Sequence, residues 1–125
     1  MRVYIETYGC ALNKADSALM QRLLLSAGYT IVDSLEEAEA IIVNTCTVRS
    51  DTEDRIIRRL RRVRDLARGK KVVIAGCMAS AQPYTIKSII PEASLLSPQN
   101  ITRIVEVLES PRPLYLVGGL SLIHI

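Results

Sequence analysis

Ala40-Ile41-Ile42-Val43-Asn44-Thr45-Cys46 is a short apolar run closed by two polar residues and a thiol. Such a run suits a strand covered on both faces, the kind found in the middle of a parallel sheet. Two other stretches share its form: Val3-Tyr4-Ile5-Glu6-Thr7-Tyr8-Gly9-Cys10 and Lys71-Val72-Val73-Ile74-Ala75-Gly76-Cys77. Each cysteine therefore follows a strand instead of lying inside one. If the three strands are neighbours, thiols distant in sequence meet at one sheet edge, the edge where open parallel sheets bind ligands.

Helical periods fill the intervals. The first strand is expected over 2–8. After Gly9-Cys10-Ala11-Leu12-Asn13 a helix carries Ala15, Leu19, Leu23, Leu24 and Ala27 on its apolar face and stops at Gly28. Tyr29 to Val32 reads as a short strand, and Ser34-Leu35-Glu36-Glu37 has the spacing of a capping box opening one helical turn. Ser50-Asp51-Thr52-Glu53 is a second capping box. Acidic residues crowd the first turn behind it, where they favour the helix dipole. Ile56, Leu60, Val63 and Ala67 form the buried stripe of that helix, which Gly69 ends. Pro83 and Pro91 bracket another helix. Ser94 to Leu96 is expected to be a last strand and Ile101 to Leu108 a last helix. Pro111-Arg112-Pro113 reads as the exit from a domain spanning 1–110, with 111–125 an exit segment and a truncated or foreign tail. The expected fold is α/β: an open, mostly parallel sheet flanked by helices, flavodoxin-like in its layering, with right-handed crossovers.

Composition narrows the setting. The 125 residues suit one domain with a modest core, and the 49% hydrophobic fraction argues against disorder. No apolar stretch reaches the roughly 18 residues that span a bilayer. Met1-Arg2-Val3 enters a strand at once, without the apolar segment of a signal peptide. An odd number of cysteines also argues against a disulfide framework, so a reducing, cytoplasmic location is expected.

A buried cysteine often behaves as a small hydrophobe, but Gly9 and Gly76 directly before two of the three permit unusual backbone and close approach of a bulky ligand. Structural zinc usually takes four ligands with a close Cys-x-x-Cys pair. Here consecutive cysteines lie 36 and 31 residues apart, and the one histidine, His124, is in the tail. A catalytic thiol lacks a neighbouring base. Three thiolates on a cubane iron–sulfur cluster fit best, leaving one iron open to a substrate atom such as sulfur.

The stretches Thr7-Tyr8-Gly9-Cys10-Ala11-Leu12-Asn13-Lys14-Ala15-Asp16-Ser17, Asn44-Thr45-Cys46-Thr47-Val48-Arg49 and Ala75-Gly76-Cys77-Met78 closely resemble the N-terminal domain of radical-SAM methylthiotransferases. Three motifs in the right order make the resemblance specific, and it covers roughly residues 1–110. It implies that Cys10, Cys46 and Cys77 hold an auxiliary 4Fe-4S cluster that takes part in supplying or carrying the transferred sulfur. Glu53-Asp54-Arg55 and Ala81-Gln82-Pro83 look most like the archaeal and eukaryotic branch, which modifies threonylcarbamoyladenosine beside the tRNA anticodon. Members acting on isopentenyladenosine or on a ribosomal-protein aspartate, and a non-enzymatic cluster carrier, are the alternatives. A complete member continues into a radical-SAM barrel with Cys-x-x-x-Cys-x-x-Cys, which binds S-adenosylmethionine and a second 4Fe-4S cluster, and then usually into an RNA-binding β-barrel. No cysteine follows Cys77. The chain is therefore read as an N-terminal fragment, inactive alone.

Around the thiols, Asn13, Asp16 and Ser17 are read chiefly as caps of the following helix. Asn44 and Thr45 either donate to cluster sulfides or hold the strand-end turn. Arg49 either offsets cluster charge or pairs with a helix start. Nine of the 16 basic residues, among them Arg55, Arg58, Arg59 and Arg62, fall between 55 and 71. That stripe suits phosphate and hence a tRNA partner, or else is a solvated helix face whose arginine stems cover the sheet's helical layer.

Overall fold

The computed structural model describes residues 1–9, 11–46, 50–117 and 121–122. Five strands come first in the ordering of the core: β1 (Arg2–Thr7), β2 (Thr30–Ile31), β3 (Ala40–Thr45), β4 (Lys71–Gly76) and β5 (Ser94–Leu96). A sixth, β6 (Tyr115–Val117), and a seventh, β7 (Ser121–Leu122), complete one sheet in the order β2-β1-β3-β4-β5-β6-β7. All pairings are parallel except β6 with β7. β3 sits between β1 and β4 and is buried at all six positions, as its unbroken apolar run requires.

Helices cover both faces. On one lie α1 (Ala11–Ser26), a 3-10 turn (Pro98–Arg103) and α5 (Ile104–Glu109). Their Met20, Leu24, Ile101, Ile104 and Leu108 pack on Val3, Ala40, Ile42, Val73 and Leu96. On the other lie α2 (Ser50–Leu66), α3 (Cys77–Ala81) and α4 (Pro83–Ile89). There Ile56, Leu60, Val63, Met78 and Ile86 meet Ile41, Val43, Ile74 and Leu95. Alternate residues of each strand serve opposite layers, so both hydrophobic clusters hang on the same strands. The α/β class, the parallel sheet and its flanking helices are as expected.

The order 2-1-3-4-5 is the flavodoxin-like variant of the doubly wound fold, whose switch point lies between β1 and β3. From β1 the chain moves outward to β2, then returns past β1 to β3. The loops leaving β1 and β3 thus diverge and open a crevice at their carboxyl ends.

Four local expectations change. Ala15 and Ala27 are exposed, whereas Leu19, Leu23 and Leu24 pack on the core as expected; with Asn13, Ser17 and Met20 the inward face of α1 is polar in its first half. Ser34-Leu35-Glu36-Glu37 forms turns, not a helix: the Ser34 hydroxyl donates to the Glu36 carboxylate at 2.6 Å instead of capping backbone. The last helix is split into the 3-10 turn and α5. Pro111-Arg112-Pro113 does not lead away from the sheet. Leu95 N–H donates to Leu114 O and Ser97 N–H to Leu116 O, both at 2.8 Å, so 115–117 joins as β6. The tail residues 118–120 and 123–125, His124 included, lie outside the described residues. Among the described residues no helix is long and apolar enough to cross a membrane.

Candidate metal centre at the switch point

β1, β3 and β4 are adjacent, and each of their sequences runs into a cysteine segment. Cys46 follows β3 directly and is buried; Cys77 follows β4 directly, opens α3 and is half-buried. Thr45 and Gly76, the residues before them, are register partners. The two thiol-bearing positions therefore leave neighbouring strands side by side, strands that lie about 4.8 Å apart. Cys10 and Arg49 fall outside the described residues, but Gly9, immediately before Cys10, is described. It has φ +108°, and a Cβ built on it would stand 2.6 Å from Cys46 Cβ and 3.1 Å from Cys46 Sγ. The backbone entering Cys10 is thus pressed against Cys46, an approach only glycine allows. Gly76, at φ +95°, is as confined: a Cβ there would overlap the Thr45 carbonyl oxygen and lie 2.6 Å from Asn44 Oδ1.

A buried polar network fixes these three strand ends to one another. Asn13 Nδ2 donates to Thr45 O at 2.9 Å and to Asn44 Oδ1 at 3.3 Å. Asn44 Nδ2 donates to Asn13 O at 2.8 Å and to Ser17 Oγ at 3.0 Å, and Ser17 in turn shares a 2.6 Å hydrogen bond with Thr7. Thr45 Oγ1 donates to Ala75 O at 2.7 Å and accepts from Met78 N–H at 3.2 Å. The strand ends before Cys10 and Cys46 are tied through α1, and those of Cys46 and Cys77 through Thr45. Asn13 and Ser17 therefore do not cap α1; they lie within it and reach across to β1 and β3. Both Asn44 N–H groups and the Thr45 hydroxyl proton are engaged by protein acceptors, so these residues brace the strand-end turn.

Beside this lies a cluster that the sequence did not disclose. Tyr4 and Glu6 of β1 and Tyr8 just past its end alternate toward α2, and Arg59 of α2 meets Glu6 with Nε at 2.8 Å from Oε2 and Nη2 at 2.8 Å from Oε1. Tyr4 and Tyr8 hydroxyls donate to the same carboxylate at 2.9 and 2.6 Å. Burial works against the charge on Glu6, but the hydrogen bonds from Arg59, Tyr8 and Tyr4 outweigh it and hold its pKa below 4.5. Burial and the Glu6 carboxylate push the Tyr8 hydroxyl well above its ordinary range, and the same carboxylate raises Arg59. Arg59 accordingly leaves the expected phosphate-facing stripe: its guanidinium faces inward and is shared with Glu6. Arg55, Arg58 and Arg62 are exposed.

The donor set fits a thiophilic metal group. Two cysteines stand at adjacent strand ends on the switch-point edge, and the residue before the third is packed on one of them. Among the described residues no three His, Cys, Asp or Glu side chains gather in a metal-binding arrangement; Cys10 lies outside them.

A family profile described as "Uncharacterized protein family UPF0004" matches residues 2–97. The chain belongs to this family. It is 40% identical over 125 residues to the probable threonylcarbamoyladenosine tRNA methylthiotransferase of Pyrococcus horikoshii, covering all of this chain, tail included, and 27% of that protein. Its identity to the corresponding Methanocaldococcus jannaschii protein is 44% over 90 residues, 72% of this chain and 21% of the relative. With the tRNA-2-methylthio-N(6)-dimethylallyladenosine synthase of Bacteroides thetaiotaomicron the identity is 42% over 81 residues, 62% of this chain and 18% of the relative. The UPF0004 chain thus spans between about a fifth and about a quarter of the length of these curated relatives.

Proposed function

We propose that this UPF0004 chain is the auxiliary-cluster domain of a cytoplasmic tRNA methylthiotransferase, with Cys10, Cys46 and Cys77 as the thiolates of a 4Fe-4S cluster. The observation that supports the reading is the Gly9 contact with Cys46 beside the Thr45–Gly76 register: Cys46, Cys77 and the residue before Cys10 share one edge of the sheet. When bound, such a cluster offers an iron without a protein ligand, open to the sulfur that is to be transferred. The chain's own residues give that chemistry a fixed frame. Asn13, Asn44 and Thr45 hold the strand ends, and Gly9 and Gly76 let the backbone pack where a side chain would collide with Cys46 and Thr45. Arg49, close to Cys46 in sequence, is suited to offset the negative charge of the thiolates.

The transferred group is a methylthio group and the acceptor C2 of N6-threonylcarbamoyladenosine next to the anticodon, in line with what the archaeal relatives are named for. S-adenosylmethionine and a second cluster belong to the part of the enzyme beyond this domain. The Bacteroides relative favours a second acceptor, the dimethylallyl-substituted adenosine. Mass spectrometry of tRNA nucleosides from a deletion strain separates the two. Loss of the methylthio-threonylcarbamoyl nucleoside supports the first reading; loss of only the dimethylallyl product supports the second, and unchanged nucleosides refute both. A gene whose continuation lacked a Cys-x-x-x-Cys-x-x-Cys segment would instead leave a non-enzymatic cluster carrier.

A further inference from the structure

The nine basic residues between 55 and 71 divide sharply once their partners are known. Four are committed to the fold or to a neighbour. Arg59 is held by Glu6, Lys70 Nζ donates to Leu35 O and Glu36 O, Lys71 Nζ donates to Leu108 O and Ser110 O, and Arg64 pairs with Asp65 at 3.3 Å. Arg55, Arg58, Arg61, Arg62 and Arg68 are exposed and form no ion pair among the described residues. On a helix of 3.6 residues per turn Arg58, Arg61 and Arg62 lie opposite the buried stripe of Ile56, Leu60, Val63 and Ala67, Arg55 stands on its flank, and Arg68 follows in the turn after α2. From Arg55 to Arg68 they extend for roughly 20 Å along and just beyond α2. Among the described side chains, the acidic ones exposed on this face are Asp54 and Asp65, the latter engaged by Arg64.

The orientation of α2 gives this row a direction. The helix follows β3, so its first turns lie at the edge that carries Cys46, and the row runs from that edge down the outer layer. Guanidinium groups offer forked donors suited to phosphate oxygens. The helix carries no aromatic residue on which a base could stack, so the surface is suited to a backbone and not to base identity.

Resting on the proposed tRNA substrate, we propose that the outer face of α2, together with the turn that follows it, is a sequence-independent docking track for an RNA phosphate backbone, formed by Arg55, Arg58, Arg61, Arg62 and Arg68 and excluding Arg59. The track leads an RNA strand toward the cysteine edge. Its energy comes from released counterions, so it weakens steeply with salt.

The test is fluorescence anisotropy of the 125-residue chain with a labelled tRNA anticodon stem-loop across a salt series. The Arg55→Ala/Arg58→Ala/Arg62→Ala variant keeps the helix, because alanine is the best helix former, and circular dichroism checks this. Its slope of log affinity against log salt should be shallower by about 2–3, and its affinity at ~0.15 M salt about 50- to 150-fold weaker. Arg103→Ala, on the opposite layer, should bind like the parent. Unchanged slope and affinity in the triple variant, or an equal loss in Arg103→Ala, overturns the proposal. So does competition by polyglutamate as strong as by RNA of equal charge, which would point to an acidic protein partner. Iron binding by the same chain is read separately: a chain that takes up no iron yet shows the expected salt slopes defeats the cluster reading and leaves the track standing.

Discussion

Gly9→Ala is the substitution through which the site's geometry can be felt without touching a thiol. The residue sits at φ +108°, a region that costs a non-glycine residue about 1–3 kcal/mol. The new methyl would also stand 2.6 Å from Cys46 Cβ and 2.7 Å from Asn13 Oδ1, and both neighbours are buried and anchored. Forcing an extra methyl into packed surroundings adds about 1–3 kcal/mol. Gly28 supplies the control: its φ is +94°, but nothing lies within 4 Å of a Cβ placed there. Gly28→Ala therefore bears the backbone term alone, and the entropic gain from replacing glycine in the unfolded chain is common to both variants. Urea unfolding should place Gly9→Ala about 1–3 kcal/mol below Gly28→Ala in stability. Displacing Cys46 should also lower the iron that Gly9→Ala retains after anaerobic reconstitution, whereas Gly28→Ala retains the parent amount. Equal stability and equal iron in the two variants would refute the claim that the backbone before Cys10 is pressed on Cys46.

Thr45→Val keeps the shape of the side chain but strands the Ala75 carbonyl and Met78 N–H from their shared hydroxyl. It should cost about 1–3 kcal/mol in urea unfolding and loosen the Cys46 and Cys77 segments together, read as faster alkylation of both thiols. The Glu6 carboxyl has a lower pKa in the folded chain than in the unfolded one, so its stabilising contribution is complete above pH 4.5 and fades as pH falls through the folded value. The stability advantage of the parent over Glu6→Gln should therefore be constant near neutrality and shrink below about pH 4.5. An advantage that stays level down to the acid limit would exclude an ionised Glu6 in the native state. Arg59→Met should narrow the same advantage at neutral pH, since an unpaired half-buried carboxylate is then left behind.

The strands were legible because both-face burial leaves an unbroken apolar run, and Ala40–Val43 and Val72–Ala75 can be little else. The buried stripe of α2 was legible because Ile56, Leu60, Val63 and Ala67 stand out against an arginine-rich background. α1 was harder, since its inward face begins with Asn13 and Ser17, polar residues that look like caps until β3 is placed beside them. α3 is five residues long and starts on Cys77, too short for a period to declare itself. β6 escaped because three residues behind Pro111 and Pro113 carry no alternation, and their place follows from pairing with β5. The Glu6–Arg59 pair spans 53 positions. Its sole trace in the sequence is the alternation Tyr4, Glu6, Tyr8, which puts a carboxylate between two hydroxyls on a strand face that faces the core.

Anaerobic reconstitution with iron and sulfide, followed by iron counting and electron paramagnetic resonance of the reduced sample, tests the three-thiol centre most directly. The parent chain should bind about four irons and give a cluster signal, and Cys10→Ala, Cys46→Ala and Cys77→Ala should each lose most of both. A parent chain that stays colourless while taking up one zinc, or three variants that retain the parent's iron, would contradict the account.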